Sequence, residues 1–174
     1  REVEEIVKKV RKEVTRLLRE VEEDMKRNRD TIRELLKYVK KDLEENKDII
    51  RRLLELIRRD GSTKELRKTL EDKLKESEDN LRRVAEELRE KEERSKRNLD
   101  RIEREARERV KRLEEEGVSE EARKDIERLL EEVRTKLREN EEDLRRLVKE
   151  VDRELKRNRD ELERLAKEVR DELK

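Results

Sequence analysis

The stretch Val21–Val39, VEEDMKRNRDTIRELLKYV, decides the fold. Taking Val21, Met25, Asn28, Ile32, Leu35 and Val39 as one face gives steps of 4, 3, 4, 3 and 4, which is eighteen residues in five steps. That is 3.6 residues per step, the period of an undistorted α-helix. The same steps run back through Leu17, Val14, Val10 and Val7 to Val3, and forward through Leu43, Asn46, Ile50 and Leu53 to Ile57. A 3.5 repeat would wind the stripe left-handed and an eleven-residue repeat right-handed, whereas a 3.6 repeat holds it on one face. The pattern predicts straight, nearly untwisted helices.

The same period recurs further along the chain. Ala122, Ile126, Leu129, Val133, Leu137, Asn140, Leu144, Leu147, Val151, Leu155, Asn158, Leu162, Leu165, Val169 and Leu173 form a second stripe. Between the two, Leu66, Val84 and Ile102 lie eighteen apart, as do Leu70 and Leu88, Ser77 and Ser95, Asn80 and Asn98, and Leu81 and Leu99. Companions such as Leu18, Leu36 and Leu54, or Leu130, Val148 and Ala166, widen the outer stripes so that each helix can touch two neighbours.

The chain has two glycines, and each sits at an interruption of the pattern. Gly61 suits a left-handed position ending one helix, and Ser62 with Glu65 three residues on matches a capping box for the next. Gly117 would end the second helix and Ser119 cap the third, with Glu120 and Glu121 on the positive end of its dipole. The reading is all-α: a single straight, antiparallel, up-down-up three-helix bundle over residues 1–174. Its helices are expected at about 2–59, 63–116 and 120–173, with loops at 60–62 and 117–119. Each helix would span roughly 80 Å at about 1.5 Å per residue, far longer than the average of about 11–12 residues in globular proteins.

Composition bounds the chemistry. Of 174 residues 61% are charged, against roughly 25% in typical soluble proteins. Tyr38 is the one aromatic residue, and Cys, His, Pro, Trp and Phe are absent. Without cysteine there is no disulfide, thiolate nucleophile or Cys-based zinc site, and the redox compartment is unconstrained. Without histidine the commonest general base and transition-metal ligand is missing. Net charge is +1, with acids and bases interleaved. That offers neither a basic stripe for nucleic acid nor a polybasic patch for an anionic membrane. No apolar run exceeds two residues, so no membrane-spanning or signal segment is expected and the chain reads as soluble, with localisation otherwise unspecified. Acid clusters such as Glu22-Glu23-Asp24 and Glu114-Glu115-Glu116 read as solvated helix faces. Tyr38 and Leu56, eighteen apart, flank the stripe and could make at most a weak contact patch. No cofactor, metal site, catalytic residue or required partner is expected.

The informative polar residues are six asparagines, two per helix, each pair eighteen apart. If the second helix folds back on the first about Gly61, facing residue numbers should sum to roughly 123; about Gly117 they should sum to roughly 236. Asn28, Asn98 and Asn140 then share one cross-section with Ser95, and Asn46, Asn80 and Asn158 share another with Ser77. Each set is expected to form a buried hydrogen-bonded layer, since an amide supplies both donors and acceptors. The alternatives are hydrated spacers on the stripe's margin or a polar ligand pocket, for which Asn and Ser without charged or aromatic company are poorly suited. A strict repeat invites slippage by eighteen residues. Slippage would strand these groups against apolar neighbours, so their expected role is to fix register.

With its eighteen-residue repeat, Asn layers, Gly-Ser and Gly-Val-Ser loops and Glu/Lys/Arg surface, the whole chain resembles computationally designed, parametric helical bundles with buried hydrogen-bond networks. The resemblance implies a monomeric, highly stable scaffold without a natural biochemical function. The alternative is a designed interaction module or self-assembling building block, including a homodimer formed by helix swapping. A natural analogue would be a spectrin-like repeat, but its usual tryptophan is missing here and the repetition is more regular.

Overall fold

The computed structural model describes residues 2–174. These form three α-helices and no strand: α1 (Glu2–Asp60), α2 (Lys64–Glu115) and α3 (Glu120–Glu172). The chain is an all-α three-helix bundle. No proline interrupts any helix, and acidic residues occupy the first turns (Glu2, Glu4 and Glu5; Glu65; Glu120 and Glu121) while arginines occupy the last (Arg58 and Arg59; Arg112; Arg170). Both placements complement the helix dipole.

The glycines end helices by the left-handed route. Gly61 has φ +88° and donates its N–H to the Ile57 carbonyl at 2.9 Å, the single closing bond of an αL cap. Gly117 has φ +63°. Ser119 caps α3: its Oγ accepts from Ala122 N–H at 3.4 Å and its carbonyl from Arg123 N–H at 3.0 Å. The cap of α2 falls on Thr63 and not on Ser62. Thr63 Oγ1 accepts the Leu66 N–H at 3.1 Å, so α2 starts one residue later than a Ser62 cap requires. Glu65 lies in the first turn but one place short of the capping-box position, which with Thr63 as cap falls on Leu66.

The chain divides into two compact units, each holding one stretch of every helix. The first comprises the described residues up to Asp30 with Lys91–Arg146, and the second comprises Thr31–Glu90 with Leu147–Lys174. In the first unit, Glu13 pairs with Arg109, Glu20 with Arg101 and Asn28 with Ser95, so α1 and α2 run antiparallel. Arg11 pairs with Asp125 and Arg29 with Asp143, both 114 residues apart, so α1 and α3 run parallel. In the second unit, Lys47–Glu161 and Arg58–Glu172 keep that 114-residue offset. Arg89–Asp152 and Arg67 Nη2 to the Leu173 carbonyl set α2 against α3.

The first unit's core is Val10, Val14, Leu17 and Val21 against Leu99, Ile102, Ala106 and Leu113 and against Ile126, Leu130, Val133 and Leu137. In the second unit, Ile32, Leu35, Val39, Leu43, Ile50, Leu54 and Ile57 of α1 are buried, with Leu70, Leu81, Val84 and Leu88 of α2 and seven apolar residues of α3 from Leu147 to Val169. Fully burying each such side chain contributes about 1.5–3 kcal/mol. From Val10 to Ile57 the fully buried positions of α1 advance in thirteen steps of about 3.6 residues. Their phase differs from the sequence expectation at three points. Asp24, Lys47 and Leu54 are buried, while Met25, Asn46 and Leu53 are half-buried and Val3 is exposed. The stripe is wide, and side chains on its flanks can displace those at its centre.

Candidate functional site

The polar layer of the first unit is built around a carboxylate. Asp24 is 2% exposed and is reached from all three helices. Its Oδ2 accepts from Ser95 Oγ at 2.7 Å, Asn140 Nδ2 at 3.0 Å and Asn28 Nδ2 at 3.3 Å, and its Oδ1 accepts from Asn98 Nδ2 at 3.0 Å. Asn28 Nδ2 also donates to Ser95 Oγ at 2.8 Å and, weakly, to Asn140 Oδ1 at 3.5 Å, while Asn140 Nδ2 reaches the Val21 carbonyl at 3.4 Å. Asn28, Ser95 and Asn140 are buried, whereas Asn98 sits half-buried at the rim. The structure thus brings Asn28, Ser95, Asn98 and Asn140 together and adds Asp24.

Charge enters from the edge. Arg101 donates to Asn98 Oδ1 at 2.8 Å, to Glu20 at 3.0 Å and to Glu105 at 3.1 Å. Its hydrogen bond to Glu20 is the main reason its pKa is raised above the usual guanidinium value. Arg29 donates to Asp143 at 2.9 and 3.4 Å, and that hydrogen bond, then its Coulomb attraction, raises the Arg29 pKa.

The second layer is different. Ser77 and Asn158 are buried, but Asn46 and Asn80 are half-buried. Asn158 Nδ2 turns back onto its own helix, donating to the Glu154 carbonyl at 2.8 Å. Its Oδ1 and the Ser77 hydroxyl oxygen are buried without a protein partner. Asn80 Oδ1 accepts from Arg83 at 3.1 Å, and Arg83 also reaches the Tyr38 hydroxyl at 3.4 Å. The four residues expected to form this layer are therefore not joined by hydrogen bonds to one another. The buried charge in this part of α1 is Lys47, 2% exposed, which donates to Glu44 at 2.7 Å and to Glu161 Oε2. The hydrogen bond from Lys47 holds the Glu161 carboxyl below the usual range; partial burial opposes this, and Arg157 at 3.4 Å assists it.

Sequence reasoning missed Asp24 and Lys47. The available signal was the repeat itself, because Asp24 and Asp42, Arg29 and Lys47, and Asp143 and Glu161 are each eighteen apart. In a chain that is 61% charged, such matches carry little weight until their burial is known.

The chemistry open to these layers is narrow. The Ser95–Asp24 hydrogen bond has the form of a nucleophile beside a base, but both groups are sealed in the core, at 1% and 2% exposure, with no room for a substrate. Among the described residues no three metal-ligating side chains cluster, and no helix is long and apolar enough to cross a membrane. Grooves between neighbouring helices carry mixed charge, as where Arg51, Arg58 and Arg164 alternate with Glu55, Glu161 and Glu168.

No protein-family model matches the chain, and no curated protein matches it. Among solved structures it is similar to one described as a computationally designed three helix bundle, at 16% identity over 98% of this chain and 88% of that one, with a TM-score of 0.37.

Proposed function

We propose that this chain is a designed structural scaffold, monomeric and without a reaction or ligand of its own, whose buried polar residues specify helix register. The observation that carries this reading is the Asp24 layer, in which side chains from α1, α2 and α3 converge on one carboxylate inside an otherwise apolar core. An apolar stripe of period eighteen is nearly indifferent to a shift of one helix by eighteen residues. The polar residues are not, because slippage of α3 by eighteen residues either sets Ala122 against Asp24 or brings Asn158 there and moves Asn140 out of the layer among apolar neighbours. Each buried polar group left unpaired costs about 1–3 kcal/mol. Matched helices of 59, 52 and 53 residues, and glycine used only at the two left-handed turns, fit the same reading. Val3 is the sole large exposed apolar side chain among the described residues, which supports a monomer over an interaction module.

The test is to replace the layer whole, with Asp24, Asn28 and Asn140 changed to Leu and Ser95 to Ala. The expected result is thermal stability equal to or above that of the parent, together with loss of a single species in light scattering after chromatography. A variant that stays a homogeneous monomer with parental hydrogen-exchange protection would remove the register-setting role. A parent that is itself dimeric in small-angle scattering would favour helix swapping.

A further inference from the structure

The two polar layers are copies. Moving eighteen residues forward in α1 and α3 and eighteen back in α2 carries Asp24 to Asp42, Asn28 to Asn46, Ser95 to Ser77, Asn98 to Asn80 and Asn140 to Asn158. The surrounding contacts obey the same mapping. Arg101 donates to Asn98 and Glu20, and Arg83 donates to Asn80 and Tyr38, the residues at the mapped positions. Arg29 pairs with Asp143, and Lys47 pairs with Glu161. Every member of the first layer therefore has its counterpart in the second, yet the second is open. Asp42 is exposed where Asp24 is buried, and the two groups Asp42 and Asn46 would serve, the Ser77 hydroxyl and Asn158 Oδ1, have no protein partner.

The difference lies in α1. Between Val21 and Ile32 the buried positions are Asp24 and Asn28; between Val39 and Ile50 they are Leu43 and Lys47. The anchors at each end correspond, and only the middle changes flank. At about 100° per residue, Asp42 and Lys47 lie on opposite edges of the same stripe, each about 70° from its centre, with Leu43 and Asn46 about 30° to either side. A modest roll of this stretch exchanges one pair for the other. Arg29 reaches Asp143 from a half-exposed position, leaving the opposite flank free for Asp24, whereas the compact ammonium of Lys47 reaches Glu161 by entering the core.

We propose that the second layer is a two-state element: α1 between Val39 and Ile50 rolls so that Asp42 and Asn46 replace Lys47 and Leu43 inside and close the layer on Ser77 and Asn158. In the closed arrangement Asp42 accepts from Ser77 Oγ and Asn158 Nδ2, and Asn46 Nδ2 meets Asn158 Oδ1, as their counterparts do around Asp24. The open arrangement keeps the Lys47–Glu161 pair at the cost of two buried groups without partners, which the closed one satisfies; a closed population of about half corresponds to a coupling of about twofold.

A double-mutant cycle on the full chain tests this. Asp42→Ala and Ser77→Ala are combined and read by the unfolding equilibrium constant in guanidinium, with Asp24→Ala and Ser95→Ala as the reference pair. The expected result is non-additivity of about twofold or more for Asp42 with Ser77, although the open arrangement leaves them without a mutual contact. A second variant, L43M/K47R/E161D, copies the flanking residues of the first layer. It is expected to move the Asn158 side-chain amide resonances toward those of Asn140. Additive effects at Asp42 and Ser77, as an internal water bridging Ser77 and Asn158 would give, or unmoved Asn158 resonances in the triple variant, would overturn the proposal.

Discussion

Asp24→Ala is the sharpest single perturbation of the first layer. It removes the acceptor of Ser95 Oγ–H and of the Asn140 amide while leaving both donors buried, at 1% and 0% exposure. Ser95 can still accept from Asn28, and the Asn140 Nδ2 donor keeps only a 3.4 Å contact to the Val21 carbonyl. Two stranded donors at about 1–3 kcal/mol each give a gross loss of about 2–6 kcal/mol. Asn98 adds nothing because it can turn to solvent from its half-buried place. Against the loss stands relief from burying a carboxylate whose direct partners are all neutral. The net expectation is a destabilisation of about 2–3 kcal/mol, at the lower end of the gross range, or a fall in Tm of about 5–10 °C for a chain of this size.

Guanidinium unfolding at neutral pH, followed by circular dichroism with the m-value held as a check, reads the magnitude. Hydrogen exchange at core amides such as Val21 and Ile102, compared with Val39 and Val84 in the second unit, reads where the loss falls; it is expected in the first unit. Asp160→Ala, at an exposed position on α3, serves as reference and should stay within about 0.5 kcal/mol. If Asp24→Ala matches that reference, the buried-carboxylate reasoning is wrong, and the asparagines are margin residues that water can satisfy.

Glu161→Gln weakens the pair that neutralises the buried Lys47 ammonium, and a loss of about 1–3 kcal/mol is expected in the same unfolding assay. Lys47→Leu removes the buried charge and leaves Glu161 with Arg157, so stability should be equal or higher. Because the folded-state pKa of Glu161 lies below its ordinary 4.5, its stabilising contribution is full above that value and is lost as pH falls through the lower folded value. Acid titration of the parent against Glu161→Gln should show a shallower loss in the variant. Thr63→Ala should cost about 1 kcal/mol and Ser62→Ala almost nothing, which separates the observed cap from the expected one. Gly61→Ala and Gly117→Ala should each cost about 1 kcal/mol, from backbone strain alone, since an added Cβ meets nothing within 4 Å at either site.

The three-helix architecture was legible because its signals are local and redundant. Each stripe repeats its period many times, and each break carries a glycine that adopts positive φ. The facing sums were legible too, since a short turn leaves the register of an antiparallel pair little freedom; Asn28 meets Ser95 at the expected sum of 123. The cap of α2 was not. Ser62 and Thr63 are adjacent hydroxyl residues, and which one caps depends on how tightly the chain leaves Gly61.

The polar layers show where period stops being informative. A 3.6-residue repeat gives the direction of a stripe but not its width, and at about 100° per residue two adjacent residues can straddle its centre equally. Met25 and Asn28, or Leu43 and Asn46, were the natural centre positions. What decides between the flanks is which neighbour offers the better partner: α2 presents Ser95 and Asn98 to Asp24, and α3 presents Glu161 to Lys47. Those partners are remote in sequence, and charged residues are so abundant that none stands out alone. The repeat carries the missing information only when its two copies are compared. Asp24 and Asp42 occupy the same place in the repeat, so a difference in their burial comes from residues at which the two copies differ, and of these Lys47 and Glu161, in place of Arg29 and Asp143, put a charged pair into the core. On this reasoning the charged pair on the α3 side of α1, and not the asparagine on the α2 side, determines whether a polar layer closes.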